Sequence, residues 1–99
     1  MLWGERIEAL ARVCWHYITE LNQVEKEGYE YTAQRIDNKD LDVDIEYLKV
    51  LDRRRADVRD GFVTPITILL RKEGVTSMDV RDGLIKLTLK NGGELTFKE

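Results

Sequence analysis

Hydrophobic positions near the start of the chain recur at spacings of three and four residues. They are Trp3, Ile7, Leu10, Cys14, Tyr17, Leu21 and Val24. At 100° per residue these side chains fall within an arc of about 80°, which predicts an amphipathic helix with a narrow apolar seam. We place this helix at residues 5–27, because Gly28 stands where helices commonly end. A seam of this width is typical of packing against another helix, from the same chain or from a second copy.

The stretch that follows allows two interpretations. Residues 29–33 fit either a short extended segment or a connection between helices, so residues 29–48 form either a helix–loop–helix or a hairpin. Apolar and acidic residues alternate from 41 to 47, as in a strand. Acidic residues that precede arginines match a helix macrodipole, however, and residues 37–40 supply N-cap chemistry. With Gly61 as the stop signal, we predict a second helix over residues 40–60.

From residue 62 onward the hydrophobic period changes to two, which predicts β-strands. The alternating runs cover residues 66–70, 76–80, 85–89 and 95–97. Turn residues separate these runs at 73–74, 82–83 and 91–93, where Asp-Gly and Asn-Gly tolerate positive φ. The pattern predicts a three- or four-stranded antiparallel meander over residues 62–98, with Pro65 at a strand start or on an edge.

Two helices followed by a meander make an α+β fold, and a chain of 99 residues fits a single domain. One face of the sheet is expected to pack against the helices, and it carries Ile85, Leu87, Leu89, Leu95 and Phe97. The other face is expected to be solvated, and it carries Lys86, Thr88, Lys90 and Thr96. The last strand, at 94–98, is predicted as an unpaired edge, which together with the seam indicates a homodimer.

Composition places the chain among soluble globular proteins, with 42% hydrophobic and 35% charged residues. Sixteen basic and nineteen acidic residues give a net charge of −3, too little positive charge for nonspecific binding of nucleic acid. There is no apolar run long enough to span a membrane and no signal-peptide pattern, so no membrane partner is expected. A single cysteine excludes an internal disulfide and favours a reducing, cytoplasmic location.

Residues that could carry chemistry are few. Cys14 and His16 point about 200° apart on the predicted helix and cannot form a dyad, and Cys14 lies in the seam as a small hydrophobe. A zinc site would need carboxylates or a second chain. The acidic run at 40–44 lacks the glycine of a calcium loop, since Ile45 stands at that position. We therefore expect no catalytic, cofactor-binding or metal-binding residues, and no enzymatic activity.

The basic cluster consists of Arg53, Arg54, Arg55 and Arg59. Acidic residues are interleaved with it, which favours a solvated, self-paired face over a binding surface. If the cluster binds, the net charge of the chain favours a protein over nucleic acid.

The two tryptophans are the candidate aromatic anchors. Trp15 lies about 120° from the seam, on the polar side of the helix, so it is either covered by another element or exposed to a partner. Trp3 belongs to the seam but lies at the end of the helix, where it could extend an interface.

These observations predict a small non-enzymatic protein–protein interaction module that binds another protein or its own copy. The predicted partner-binding residues are Trp3, Trp15, Arg54, Arg55 and Arg59. Small cysteine-poor chains include viral accessory factors, inhibitors and assembly components of phage type, and such a role is expected by association alone. The alternative is a nucleic-acid-binding module that uses the cluster at residues 53–59.

Overall fold

The computed structural model describes residues 2–38 and 42–99 of the chain. Its elements are helix α1 (Trp3–Asp37), helix α2 (Ile45–Val58), a π-helical turn (Arg59–Val63), helix α3 (Thr64–Lys72) and strands β1 (Val75–Arg81), β2 (Leu84–Leu89) and β3 (Glu94–Lys98). Helices followed by a three-stranded antiparallel sheet confirm the predicted α+β fold.

Helix α1 is longer than the sequence predicted. It passes through Gly28 and ends at Asp37, so the predicted end at residue 27 is wrong. A glycine inside a helix costs only about 1 kcal/mol relative to alanine, which the packing of a long helix offsets. A Cβ atom at Gly28 would lie 3.9 Å from Leu51 Cδ1, so this glycine faces α2 rather than ending α1. Residues 29–37 are helical and α2 begins at Ile45, so the described part of residues 29–48 contains helices and no hairpin of strands.

The second helix also begins later than expected. Within the described residues α2 starts at Ile45, where Asp44 is the N-cap and its carboxylate accepts a hydrogen bond of 3.1 Å from the Tyr47 backbone N–H. Residues 39–41, which include part of the predicted cap and the predicted helix start at 40, lie outside the described residues.

Helix α2, the π-helical turn and α3 form one continuous helical rod from residue 45 to residue 72. The junction residues Val58, Arg59 and Thr64 all keep right-handed helical dihedrals, so the predicted stop at Gly61 is wrong. We refer to this continuous segment as the helical rod. The chain thus has two long helical segments, α1 and the helical rod.

The run at residues 66–70 is helical, which corrects the prediction of a strand there. Ile66 and Leu70 pack into the core one helical turn apart, whereas Ile68 is exposed, so the period of two does not describe this run. Pro65 is the second residue of α3, directly after the π-helical turn in which the Thr64 N–H donates to the Arg59 carbonyl. The sheet consequently has three strands.

Helix α1 and the helical rod run antiparallel along their whole length. The contacts that establish this order join Tyr31 to Tyr47, Gly28 to Leu51, Glu27 to Arg54, Tyr17 to Phe62, Cys14 to Thr67 and Arg6 to Glu73. The predicted seam therefore meets a helix of the same chain, and Ile7, Cys14 and Val24 are buried there.

The sheet has the order β1-β2-β3, with both pairs antiparallel and β3 at an edge as predicted. Ile85 and Leu87 are buried on the face that packs against the helices, in agreement with the predicted inner face. The opposite face carries exposed ion pairs, such as that between Lys86 and Glu94 at 3.2 Å. Asp82 and Gly83 join β1 to β2 with φ angles of 52° and 76°, the left-handed pair that a two-residue hairpin favours.

The sheet covers only the first half of the helical pair. On α1, the residues that pack into the main core extend from Ile7 to Ile18. Beyond them, residues 20–37 of α1 contact the helical rod and the residues 42–44 that lead into it. We call residues 20–37 together with α2 the helical arm. The molecule measures 57 × 27 × 20 Å, and its radius of gyration of 17.4 Å exceeds the ~13 Å of a compact chain of this length.

Candidate functional site

A groove runs along one side of the helical arm, between α1 and α2. It has a volume of about 450 Å³ and is lined by Val24, Glu25, Gly28, Tyr29, Thr32, Leu48, Leu51, Asp52 and Arg55. Val24 and Leu51 are buried and form its floor. Charged side chains of both signs stand on its rim. We call this feature the arm groove.

The sequence places the lining residues on one face of each helix. On α1, Val24, Gly28 and Thr32 follow one another at intervals of four, so they form a single row. The absence of a side chain at Gly28 deepens the middle of that row. On α2, Leu48 and Leu51 are three residues apart, and Arg55 follows one turn later.

Large apolar side chains at this side of the arm are exposed. Tyr29 is 79% exposed, Ile36 is 70% exposed and Ile45 is 57% exposed. Tyr29 and Ile36 are seven residues apart on α1, so they lie on the same side of the helix. Single exposed hydrophobic residues are ordinary, whereas several large ones on one side of a helical pair are a sign of an interaction site.

The arm groove continues the side of the helical pair that the sheet covers. Ile18 and Ile36 are 18 residues apart, about five full helical turns, so they point in the same direction from α1. Ile18 packs into the core beneath the sheet, whereas Ile36 is exposed. In the described part of the chain nothing covers this side of the arm past the end of the sheet.

The arginines predicted to bind a partner are engaged with carboxylates. Arg54 lies 3.7 Å from Glu27 of α1, Arg55 lies 3.6 Å from Asp52, and Arg59 lies 3.0 Å from Asp60. Of the three, Arg55 lines the arm groove.

The environment of Arg59 extends across the groove. The hydrogen bond from its guanidinium to Asp60 raises the pKa of Arg59 above its ordinary value, and the charge of Asp60 acts in the same direction. Glu25 of α1 adds a smaller contribution. The basic end of the arm is thus balanced by carboxylates from both helices.

The predicted tryptophan anchors lie at the sheet-covered end, far along the chain from the arm groove. Trp15 is half-buried against the core, and its indole N–H donates a hydrogen bond of 2.7 Å to Glu99. Trp3 is more exposed, and its indole N–H donates to Glu73 at 3.2 Å, a carboxylate that also pairs with Arg6. The structure therefore does not bring Trp3 and Trp15 together with the arginines in one site.

Sequence reasoning missed Tyr29, Ile36, Ile45 and Leu48 as candidates. A signal existed, because Tyr29 and Ile36 keep helical spacing beyond Gly28. Ending α1 at residue 27 placed both of them in a connection and hid that spacing.

Cys14 is enclosed in the core. Its side chain is buried, and Sγ lies 3.9 Å from Thr67 Oγ1. Burial raises the pKa of the Cys14 thiol above its ordinary value, and the contact with Thr67 opposes that shift. A buried thiol that holds its proton is a poor nucleophile.

We expect the Cys14 thiol to react slowly with a bulky thiol reagent in the folded protein and rapidly in denaturant. Cys14→Ser is expected to lower the free energy of unfolding by about 1–3 kcal/mol, because it buries a hydroxyl.

The folded thiol retains its proton more tightly than the unfolded one, so the free energy of unfolding falls as pH rises above the ordinary thiol pKa of 9.0. Urea unfolding at several pH values measures this, and fast labelling of the native protein would contradict the burial.

Within residues 2–38 and 42–99 no three His, Cys, Asp or Glu side chains lie together as a set able to hold a metal ion. In the same ranges, none of the helices combines the length and the apolar content that crossing a membrane requires. Comparison of the chain with protein-family models, with curated proteins and with solved structures finds no match.

Proposed function

We propose that the chain is a small non-enzymatic protein-interaction module that associates with a second copy of itself through the arm groove. The observation that carries this proposal is the apolar side of the helical arm, which the sheet leaves uncovered. Residues 20–37 of α1 extend about 27 Å, and two helices side by side are about 20 Å wide. The accessible surface of such a corrugated face approaches the ~800 Å² that each partner of a stable complex buries.

A second copy suits this surface for reasons of symmetry. Two helices with one open apolar side complete a four-helix bundle when an identical pair covers that side. In a twofold dimer the same patch is buried on both subunits, so one groove is sufficient. The rim carries Glu25 and Asp52 as well as Arg55, and a patch with both signs of charge can complement itself.

The chemistry of the groove supports binding rather than catalysis. Its floor is apolar, and two of its charged side chains, Asp52 and Arg55, pair with each other. The sole cysteine is buried elsewhere. These features suit a contact surface.

Light scattering at micromolar concentration is expected to report about twice the chain mass of 11.6 kDa. Tyr29→Asp is expected to shift the protein to monomer, because it puts a charge into the contact at the arm groove. Tyr29 is 79% exposed in the single chain, so α1 is expected to remain folded.

Val50→Asp is the matched control for this experiment. Val50 is an apolar residue of the helical arm that is 61% exposed, but unlike Tyr29 it is not among the residues of the arm groove. The control is expected to remain dimeric. A wild-type monomer, or equal loss of dimer in both variants, would refute self-association through this groove.

A nucleic-acid-binding module that uses the arginines at 53–59 remains the alternative. It has less support, because Arg54, Arg55 and Arg59 each pair with a carboxylate. A salt titration separates the two proposals, since contacts with phosphates weaken steeply with salt and an apolar interface does not.

A further inference from the structure

We infer that the two copies pack with their arms antiparallel, so that the tip of each arm points toward the sheet of the other copy. The tip is the end of the arm where α1 ends and α2 begins. This inference rests on the proposed self-association and adds its geometry. Three features support it, namely the position of the sheet, the distribution of charge and the spacing of residues on α2.

The sheet excludes a parallel arrangement. It lies on the same side of the helical pair as the arm groove, as the five-turn separation of Ile18 and Ile36 indicates. A partner arm in the groove occupies a layer about 10 Å thick. In a parallel dimer both sheets would have to enter that layer at the same end, where each would overlap the helices of the other copy.

An antiparallel arrangement removes this overlap. The arm of each copy then fills the layer just beyond the end of the partner's sheet. The chain's own sheet covers this side of α1 up to Ile18. The partner's arm would cover the same side from there to Ile36. The two sheets then lie at opposite ends of the resulting four-helix bundle.

Charge along the arm favours the same orientation. Residues 30–49, which include the tip, carry six acidic and three basic residues, a net charge of −3. The part of the arm nearer the sheet, residues 20–29 and 50–61, carries six acidic and five basic residues, a net charge of −1. Antiparallel arms keep the two acidic tips apart and place each of them beside the arginines of the other copy.

We place the twofold axis beside Asp52, the middle of three residues on one side of α2. Ile45, Asp52 and Arg59 are separated by seven residues each, so they lie on one side of the helix. A twofold axis at Asp52 brings Ile45 of one copy beside Arg59 of the second copy. Arg55, which already pairs with Asp52 in its own chain, neutralises the two carboxylates that meet at the axis.

Disulfide cross-linking between two tagged chains tests this geometry. In a Cys14→Ala background, one chain carries Ile45→Cys and the other carries Arg59→Cys. The mixture is expected to form a covalent heterodimer under mild oxidation. Either chain alone is expected to form little, because two copies of the same position are then about 20 Å apart.

The matched control mixes chains that carry Lys49→Cys and Arg53→Cys. These residues lie at corresponding levels of α2 but on its outer side, so no cross-link is expected. Light scattering of the wild-type protein separates the two possible failures. A monomer overturns both proposals, whereas a dimer without the cross-link between positions 45 and 59, or one in which Ile45→Cys links to itself, overturns the antiparallel geometry alone.

Discussion

Leu87→Ala is expected to lower the free energy of unfolding by about 2–5 kcal/mol, the range for a fully buried leucine. Leu87 has no exposed surface and lies on the central strand β2. Met78 of β1 and Leu95 of β3 stand directly opposite it in the sheet. Truncation to alanine leaves a cavity that both edge strands line, and neither strand is free to move into it without breaking its ladder.

The loss is large relative to the total free energy of unfolding, because the main core is small. Domains of this size are typically stable by about 5–15 kcal/mol, so the loss of one central leucine removes a substantial share. Urea unfolding followed by circular dichroism measures the change. The matched control is Leu84→Ala on the same strand, where 42% of the side chain is exposed and a loss below about 1 kcal/mol is expected. Equal losses at the two positions would mean that the helices do not pack on the Leu87 face.

Trp15→Ala is expected to lower the free energy of unfolding by about 2–4 kcal/mol, somewhat below the range for fully buried aromatic residues. The indole packs against the core and covers the junction between α1 and the sheet. Its N–H also donates to Glu99 at 2.7 Å, and the alanine variant loses that hydrogen bond. Self-association is expected to persist in the folded variant, because Trp15 is not part of the arm groove.

Trp3→Ala serves as the comparison, since Trp3 is more exposed and lies at the start of α1. We expect it to cost about 1 kcal/mol or less. Trp15→Phe keeps one aromatic ring against the core but loses the indole N–H and part of the packing, so its cost is expected to lie between the two. If Trp15→Ala keeps native stability and loses the dimer, Trp15 is a binding anchor and the arm groove is not the interface.

Local patterns predicted much of the fold. The seam that begins at Trp3 and the alternation along β2 and β3 depend on neighbours in sequence, and both appear in the structure as expected. The turn at Asp82 and Gly83 was readable because few residues tolerate positive φ at two successive positions. The order of helices before an antiparallel sheet followed from these signals, except that the run at 66–70 is helical.

Boundaries failed where packing overrode local preference. Gly28 and Gly61 were expected to end helices. The helical backbone continues through both glycines, because α1 and the helical rod pack against each other along their length. The run at 66–70 is too short to distinguish a period of two from one of 3.6. Burial of Leu70 against α1 and the sheet decides for helix.

The sequence predicted less of the candidate site than of the fold. The arm groove depends on which side of α2 meets α1 and on where the sheet ends, and both are long-range properties. Arg55 was identified from its basic neighbours. Its position on the rim of the arm groove depends on the close approach of Gly28 to Leu51, which the sequence does not show. Among aromatic residues, the sequence pointed to Trp3 and Trp15, whereas the structure places Tyr29 in the arm groove.

The length of the helical arm is independent of the sheet. Its two helices pack on each other without help from the sheet, so equal numbers of heptads inserted into α1 and α2 would leave the sheet-bearing end unchanged. Each such insertion lengthens the arm by about 10 Å. In the antiparallel pair that we propose, the number of helical turns in the arm would set the distance between the two sheets.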